Sequence, residues 1–388
     1  MKFRPSGRRG ILFAVTGALF CACLAALLIL AARTAGIARA LPGENAARRW
    51  GEDTAQTSVF FPADAPYSTG NIPYLTRQID EKMTEASLTA PVGARLWLHA
   101  YSTETTAHVT TERGSVNVTA TVFGGDYFWI HDPVFLSGAA ITETAAGDGA
   151  VVLDERAAFS LFGAVNVTGS TVFIGEQPYT VAGVTAVPAS RFYDGYGETP
   201  RIFVLYSSPL GRNTSGITAW TAVLPEPIDG FAADLTEELF DGYDTAVTVE
   251  NSARFTPAAL WEAARSRETL AVRTAAIVFP YWENEARVAQ YRASVLVSAQ
   301  VCLAAPMAAI VLLWIALLWK PTETLLARGR DTVREKAEVA WERVTIPETR
   351  KKKPKKTSQK RSKKKQKPKN AAENPPTLSD ENPQEELV

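Results

Sequence analysis

Ala150-Val151-Val152-Leu153-Asp154-Glu155-Arg156-Ala157-Ala158-Phe159-Ser160-Leu161-Phe162-Gly163 is the stretch on which the fold turns. Its first residues are a short apolar run and read as a buried strand. Asp154 stands where a helix N-cap belongs, residues 157–162 are helical in pattern, and Gly163 supplies the stop. Downstream, residues 170–175 and 178–187 read as a hairpin that turns at Gly175-Glu176-Gln177. Residues 201–206 and 218–224 are strands, 231–240 a helix, 245–250 a strand and 257–278 a longer helix. Upstream, residues 41–50 form a short helix or an irregular segment, followed by a polar stretch with Gly and Pro to which no element is assigned. Tyr74, Leu75, Ile79, Met83 and Leu88 fall close to helical spacing. Residues 94–101 alternate like a strand, and 108–111 and 115–123 are β-rich about the turn Glu112-Arg113-Gly114. Gly124-Gly125 breaks that run ahead of Asp126-Tyr127-Phe128-Trp129. This order predicts an α+β domain with largely antiparallel sheets.

Working outward, the domain is framed by two apolar runs. Residues 11–32 carry no charge; at ~1.5 Å per residue they reach about 33 Å, enough for the ~30 Å hydrocarbon core of a bilayer. Ala38-Arg39-Ala40 resembles a signal-peptidase site, but the run exceeds the roughly 7–15 residues of a signal peptide, so an uncleaved anchor is the favoured reading. Residues 293–319 are likewise uncharged, with a kink expected at Pro306 and a stop at Lys320. Tyr281, Trp282 and Tyr291 before the run, and Trp314 and Trp319 towards its far end, suit the two water–lipid boundaries. On that reading Pro280-Tyr281-Trp282-Glu283-Asn284-Glu285-Ala286-Arg287, unusual in composition, is an interfacial aromatic anchor.

Charge sets the expected orientation. The 41 Lys+Arg and 41 Asp+Glu cancel only in the sum. Residues 1–10 hold four basic residues and no acid, 11–319 hold 18 basic and 30 acidic, and 320–388 hold 19 basic and 11 acidic. Basic ends stay cytoplasmic, so both termini are expected inside and residues 33–292 outside. That segment has 17 Arg, one Lys (Lys82) and no Cys, so an ordinary apolar core must hold it. The expected organisation is a basic terminus 1–10, spans 11–32 and 293–319, an outer domain 33–292, an amphipathic cytoplasmic helix 320–349 and a disordered tail 350–388.

The residues between the two runs resemble the extracytoplasmic core domain of the MacB/FtsX-type ABC transporter permeases. The motifs that carry the likeness follow in order: Tyr127-Phe128, Leu136-Ser137-Gly138, Val151-Val152-Leu153, Leu161-Phe162-Gly163, Gly169 through Ile174 and Tyr179 through Val184. The plan of span, outer domain and span covers roughly residues 1–320. The resemblance implies a MacB-like α+β core domain in a non-catalytic component of an export or mechanotransmission assembly, working with an ABC ATPase subunit and other permease subunits and binding extracytoplasmic cargo or partners. Such permeases have four spans, so this chain resembles a two-span variant. The alternative is a standalone membrane-anchored adaptor or ligand-binding protein without ATPase coupling.

No G-x-x-x-x-G-K-[ST] loop is present, so ATP hydrolysis is not expected of this chain. His99, His108 and His131 stand apart without Cys neighbours and read as structural, so no catalytic residue, cofactor or metal is expected. Asp126, Asp132, Glu143, Asp154 and Glu155 are abundant but unpaired in pattern, and Asp154-Glu155 is explained by a helix start.

Residues 322–344 read as a helix with Leu326, Val333, Ala337, Trp341 and Val344 on one stripe, for docking an ATPase or the membrane surface, or as a solvated continuation of the span. Beyond it Arg350, Lys351, Lys352, Lys353, Lys355, Lys356, Lys360, Arg361, Lys363, Lys364, Lys365, Lys367 and Lys369 form a run without an acid. Charges this dense favour disorder, and the run reads either as a contact for anionic lipid headgroups, at ~1 kcal/mol per basic residue near the surface, or as an orientation signal and solvated tail. No aromatic residue interleaves them, which disfavours nucleic acid.

Overall fold

The computed structural model describes residues 7–345 apart from 91, 145–146, 190–191, 193–194, 215 and 267–276. In chain order the elements are α1 (Gly7–Arg39), a 3-10 turn Pro42–Asn45, α2 (Ala46–Trp50), β1 (Thr54–Phe60), α3 (Ile72–Glu85), β2 (Leu98–Thr110) and β3 (Ser115–Gly125). Then come α4 (Tyr127–His131), β4 (Phe135–Gly138), β5 (Ala150–Asp154), α5 (Glu155–Phe162), β6 (Thr171–Ile174) and β7 (Gln177–Thr185). The chain continues through β8 (Arg201–Leu205), β9 (Ala219–Pro225), α6 (Phe231–Leu239), β10 (Val247–Glu250), α7 (Pro257–Arg265) and α8 (Tyr281–Thr345).

The strands form one sheet in the order β10-β1-β9-β2-β3-β8-β5-β7-β4, with β6 pairing both β2 and β7. Pairing is antiparallel except for β3 with β8 and β5 with β7. Strand alternation divides the core between the two faces. Val151 and Leu153 of β5 pack with Ala157, Ala158 and Leu161 of α5, while Val152 between them packs with Tyr127 and Ile130 of α4. At the other end of the sheet, Val59, Trp220 and Leu224 pack under Leu75 and Ile79 of α3 and Leu235 of α6. The opening stretch folds as its residues dictate. Asp154 Oδ1 accepts the Ala157 amide at 2.6 Å, and Gly163 closes α5 at φ 72. That left-handed conformation costs glycine little.

The structure corrects several elements. Residues 94–101 and 108–111 are not two strands: β2 is a single strand over Leu98–Thr110, paired with β3 from Ala100 to Thr110. β1 lies in the polar stretch to which no element was assigned. Its Gln56, Thr57 and Ser58 are fully buried because each finds a partner: Gln56 the Ala46 amide, Thr57 the Thr236 hydroxyl, and Ser58 both Thr221 and Asn251. The long helix expected over 257–278 stops at Arg265; Ile277 and Phe279 are non-helical and pack on Phe60 and Ala219, and residues 267–276 lie outside the described set.

By contact the chain divides into two units, residues 1–318 and 319–388. Two helical stretches are long and apolar enough to cross a membrane, Gly10–Arg39 and Tyr281–Trp319, all but the last residue of the second lying in the first unit. Their most apolar windows are 0% and 6% buried, unlike the core helix of a globular domain. They run antiparallel, with Trp314 Nε1 donating to Thr16 Oγ1 at 2.9 Å and Gln300 Nε2 to Thr34 Oγ1 at 3.1 Å. Helix α8 continues unbroken through Pro306. In the second unit, the described part is the remainder of α8, where Val333 and Trp341 of the proposed stripe are exposed; the side chains of Leu326 and Val344 are outside the described set. The thirteen basic residues from Arg350 to Lys369 all lie outside the described residues.

Candidate functional site

Chemistry-bearing side chains concentrate where the turn after α1 and the start of α8 meet the sheet. A continuous polar chain crosses this junction. Ser58 of β1 stands 3.0 Å from Thr221 of β9 and donates to Asn251 Oδ1 at 2.8 Å, and Asn251 Nδ2 donates to Glu44 Oε1 at 2.9 Å. Arg254 lies 3.4 Å from the same Glu44 oxygen and grips both oxygens of Glu283, at 2.9 and 2.7 Å. Glu283 also accepts from Arg287 Nε at 2.7 Å, and the Arg287 guanidinium sits 3.7 Å over the Phe279 ring. All four ionic side chains are buried.

Two acids and two arginines balance, but they do not share equally. Glu283 holds the bidentate contact and a second arginine, whereas Glu44 keeps one looser contact and the Asn251 amide. Desolvation therefore dominates at Glu44 and pushes its carboxyl from 4.5 up to about 7, against the lowering pull of Arg254 and with Glu283 adding to the rise.

The two residues before Glu283 are seized as well. Tyr281 meets Tyr196 edge-on at 4.9 Å and receives the Arg201 guanidinium over its ring at 4.8 Å. Arg201 is in turn held by Glu104 at 2.5 Å, and its amide donates to Asp154. Asp154 thus caps α5 and also accepts the Tyr196 hydroxyl at 3.0 Å. Trp282 packs between Phe60 at 5.6 Å and His131 at 4.6 Å. Residues 280–287 are therefore not an interfacial anchor: the rings turn into the protein, and the segment clasps the outer domain to α8.

The turn after α1 is fixed from the same sheet. Gln56 donates to the Gly43 carbonyl at 2.6 Å and accepts the Ala46 amide at 3.1 Å. Arg49 of α2 donates to the carbonyls of Trp129 and Ile130 at 2.8 Å each, capping the end of α4.

The histidines do not converge. His108 faces Asn117 at 2.7 Å and His99 lies 3.4 Å from Trp220 Nε1. His131 has a buried Nδ1 without a hydrogen-bond partner, and burial, helped by Arg49, pushes its imidazole down to about 3. Four of the five carboxylates noted in the sequence have partners: Asp126 meets Arg95, Asp132 lies 3.9 Å from Arg49, Glu143 accepts from the Tyr101 hydroxyl and the Gly125 amide, and Asp154 caps α5. Among the described residues, no group of three or more His, Cys, Asp or Glu is placed to hold a metal ion. Glu44 and Arg254 escaped sequence reading because 207 residues separate Glu44 from its partner Asn251; the Glu283/Arg287 pair was visible as an i,i+4 match opening a helix.

The periplasmic region of MacB from Actinobacillus actinomycetemcomitans is similar at 19% identity and TM-score 0.36, covering 52% of this chain and 91% of that one. The extracellular domain of the noncanonic ABC-type transporter YknZ from Gram-positive bacteria is similar at 15% identity and TM-score 0.35, covering 51% and 100%. A domain of a putative permease protein from Porphyromonas gingivalis follows at 9% and 0.32, covering 54% and 90%. No curated protein matches. The MacB-like periplasmic core domain family matches residues 25–238, from the apolar half of α1 to the end of α6. With more than half of its length matched, the chain belongs to the MacB-like periplasmic core domain family.

Proposed function

We propose that this chain is a non-catalytic membrane component of an ABC-type export or mechanotransmission assembly, its outer domain contacting extracytoplasmic cargo or partners. The observation that carries this reading is the clasp on α8. Three consecutive side chains, Tyr281, Trp282 and Glu283, are each held by a different part of the domain. A helix gripped this way moves with the sheet, so a rotation of the domain is delivered to the helix as a rigid-body motion rather than absorbed in a linker. Residues 1–388 hold no phosphate-binding loop, and on this reading ATP-driven motion is delivered to them by an ATPase partner.

On this reading the thirteen basic residues from Arg350 to Lys369 lie in the cytoplasm and meet anionic headgroups, with both termini inside and the sheet outside. Purification of the full chain in mild detergent from its own cells tests the proposal. An ATPase subunit or a four-span permease is expected to co-purify in fixed stoichiometry. Recovery of the chain alone would favour the standalone adaptor instead.

A further inference from the structure

Half of the buried polar side-chain atoms that lack a hydrogen-bond partner among the described residues sit at one joint. Of eight such atoms, two are Glu44 Oε2 and Asn45 Oδ1, on the turn Pro42–Asn45, and two are Nε and Nη1 of Arg254, which that turn touches. Native interiors leave few such groups. All four are closed off from solvent, so only a movement of the turn brings water to them. The turn has space beside it. Glu44 stands in the walls of two cavities, one of about 480 Å³ shared with Arg48, Glu52 and Ser252, the other of about 360 Å³ shared with His131, Asp132 and Glu285. It is also the less tightly held of the two buried acids. Arg254 Nη2 donates to both oxygens of Glu283, and Arg287 adds a third contact to that acid. Arg254 Nη1, by contrast, stands 3.4 Å from Glu44 without a hydrogen bond. Departure of Glu44 therefore leaves the grip on α8 intact. Movement of the turn reaches α1, because Asn45 Nδ2 donates to the carbonyls of Leu41 at 2.6 Å and of Ala38, in the last turn of α1, at 3.3 Å.

We propose that the turn Pro42–Asn45 is a proton-locked joint between α1 and the outer domain. Neutral Glu44 stays seated against Asn251 and Arg254; ionised Glu44 swings into the cavity beside Arg48, loosening the root of α1 while α8 stays clasped. The groups around Glu44 set this direction. From the segment after β10 it faces Arg254, and from α8 it faces Glu283, which repels its charge. The 360 Å³ cavity adds Asp132 and Glu285 and no Lys or Arg, so a further negative charge is opposed there. His131 in that wall supplies no counter-charge, since burial pushes its imidazole down to about 3. The 480 Å³ cavity instead offers Arg48 beside Glu52, together with the Ser252 hydroxyl. Desolvation holds the seated Glu44 up at about 7, so the lock releases near neutral pH. Once the turn opens, water returns the carboxyl to its ordinary 4.5. Opening is then favoured as pH rises from 4.5 to about 7 and levels off above it. The device requires neither an ATPase partner nor a particular orientation of the domain.

The test is hydrogen–deuterium exchange read by mass spectrometry on the full chain in lipid nanodiscs, from pH 5 to 8, each rate divided by the intrinsic exchange rate at that pH. Opening of residues 41–50 is expected to increase on the order of fiftyfold across this range, while residues 284–290 change by less than about twofold. Glu44→Gln should remove the dependence, leaving 41–50 as protected at pH 8 as in the unsubstituted chain at pH 5. Arg48→Ala should lower opening about threefold at pH 8, the scale of an exposed ion pair, and not at pH 5. The sign of the profile in the unsubstituted chain is decisive without any variant having to fold. Protection of 41–50 that is independent of pH, or that grows with it, would overturn the proposal. So would a dependence that survives Glu44→Gln, an Arg48→Ala profile equal to that of the unsubstituted chain, or residues 284–290 opening in step with 41–50.

Discussion

Glu44 and Glu283 are both buried carboxylates beside Arg254, yet their removal should have opposite consequences. Glu283 neutralises two arginines at once, so Glu283→Gln leaves Arg254 and Arg287 buried without their main counter-charge. Breaking a buried pair in this way costs about 3–5 kcal/mol. Glu44 is held above its ordinary range, so above about pH 7 the fold must carry it ionised at a loss. At ~1.4 kcal/mol per pKa unit that loss approaches about 3 kcal/mol. Glu44→Gln is expected to be neutral or stabilising at pH 8, and denaturant unfolding of the two variants followed by circular dichroism checks the contrast. The pH dependence carries a second sign. Because Glu44 is raised from 4.5 to about 7, the folded state holds an extra proton in that window, and stability falls as pH rises through it. His131 is lowered from 6.5 to about 3, so the unfolded state takes up the extra proton, and stability falls as pH drops through that window. The two slopes oppose each other between about pH 4.5 and 6.5. His131→Phe should therefore unmask the Glu44 slope, giving a protein that becomes steadily more stable from pH 7 to 4.5. A flat profile in His131→Phe would show that Glu44 does not hold its proton.

At the scale of elements, α5 was legible in its cap, its body and its stop. Its cap, body and stop are consecutive, and Asp154 and Gly163 act on neighbours within a turn. What lay beyond the sequence is the second use of Asp154, whose other oxygen takes the Tyr196 hydroxyl and the Arg201 amide from residues more than forty positions away. Asp154→Ala should then cost more than a lost cap, which alone is worth about 0.5–2 kcal/mol. It also strands two buried donors at about 1–3 kcal/mol each, so a total near 3 kcal/mol or more is expected in equilibrium unfolding. A value close to 1 kcal/mol would mean that Tyr196 and Arg201 find other partners. The same contrast separates what was read correctly from what was not. The hairpin β2–β3 turns at Glu112-Arg113-Gly114 as its local residues require. β1 was missed because polarity argues for a loop when its partners, Thr236 and Asn251, sit nearly two hundred residues away. The rings of 280–287 misled for a related reason. Aromatic residues ahead of an apolar run have two apolar places to go, and only the folded sheet shows that Phe60 and Tyr196 supply the nearer one.

For the whole molecule the decisive feature is that both ends of the outer domain lead into antiparallel helices. Two antiparallel spans of one bilayer place the far end of each on the same side, whichever side that is. The orientation proposed above rests on the charge pattern: basic residues flank the far ends, at 1–10 and 320–369, whereas the intervening segment 33–292 holds a single lysine. The tip of the β2–β3 hairpin and the basic run should therefore lie across the membrane from each other. With Cys21, Cys23 and Cys302 replaced by serine, single cysteines at Ser115→Cys and Ser362→Cys report the two compartments. A membrane-impermeant maleimide applied to intact cells is expected to label the first and not the second, with both labelled after permeabilisation. Deleting residues 350–369 should leave that pattern unchanged while weakening attachment of detergent-solubilised chain to anionic liposomes at low salt, since headgroup attraction scales with the basic residues near the surface and is screened by salt. Labelling of Ser362→Cys in intact cells would reverse the orientation, place the basic arm outside, and remove the physical basis for coupling the clasp on α8 to an ATP-driven partner.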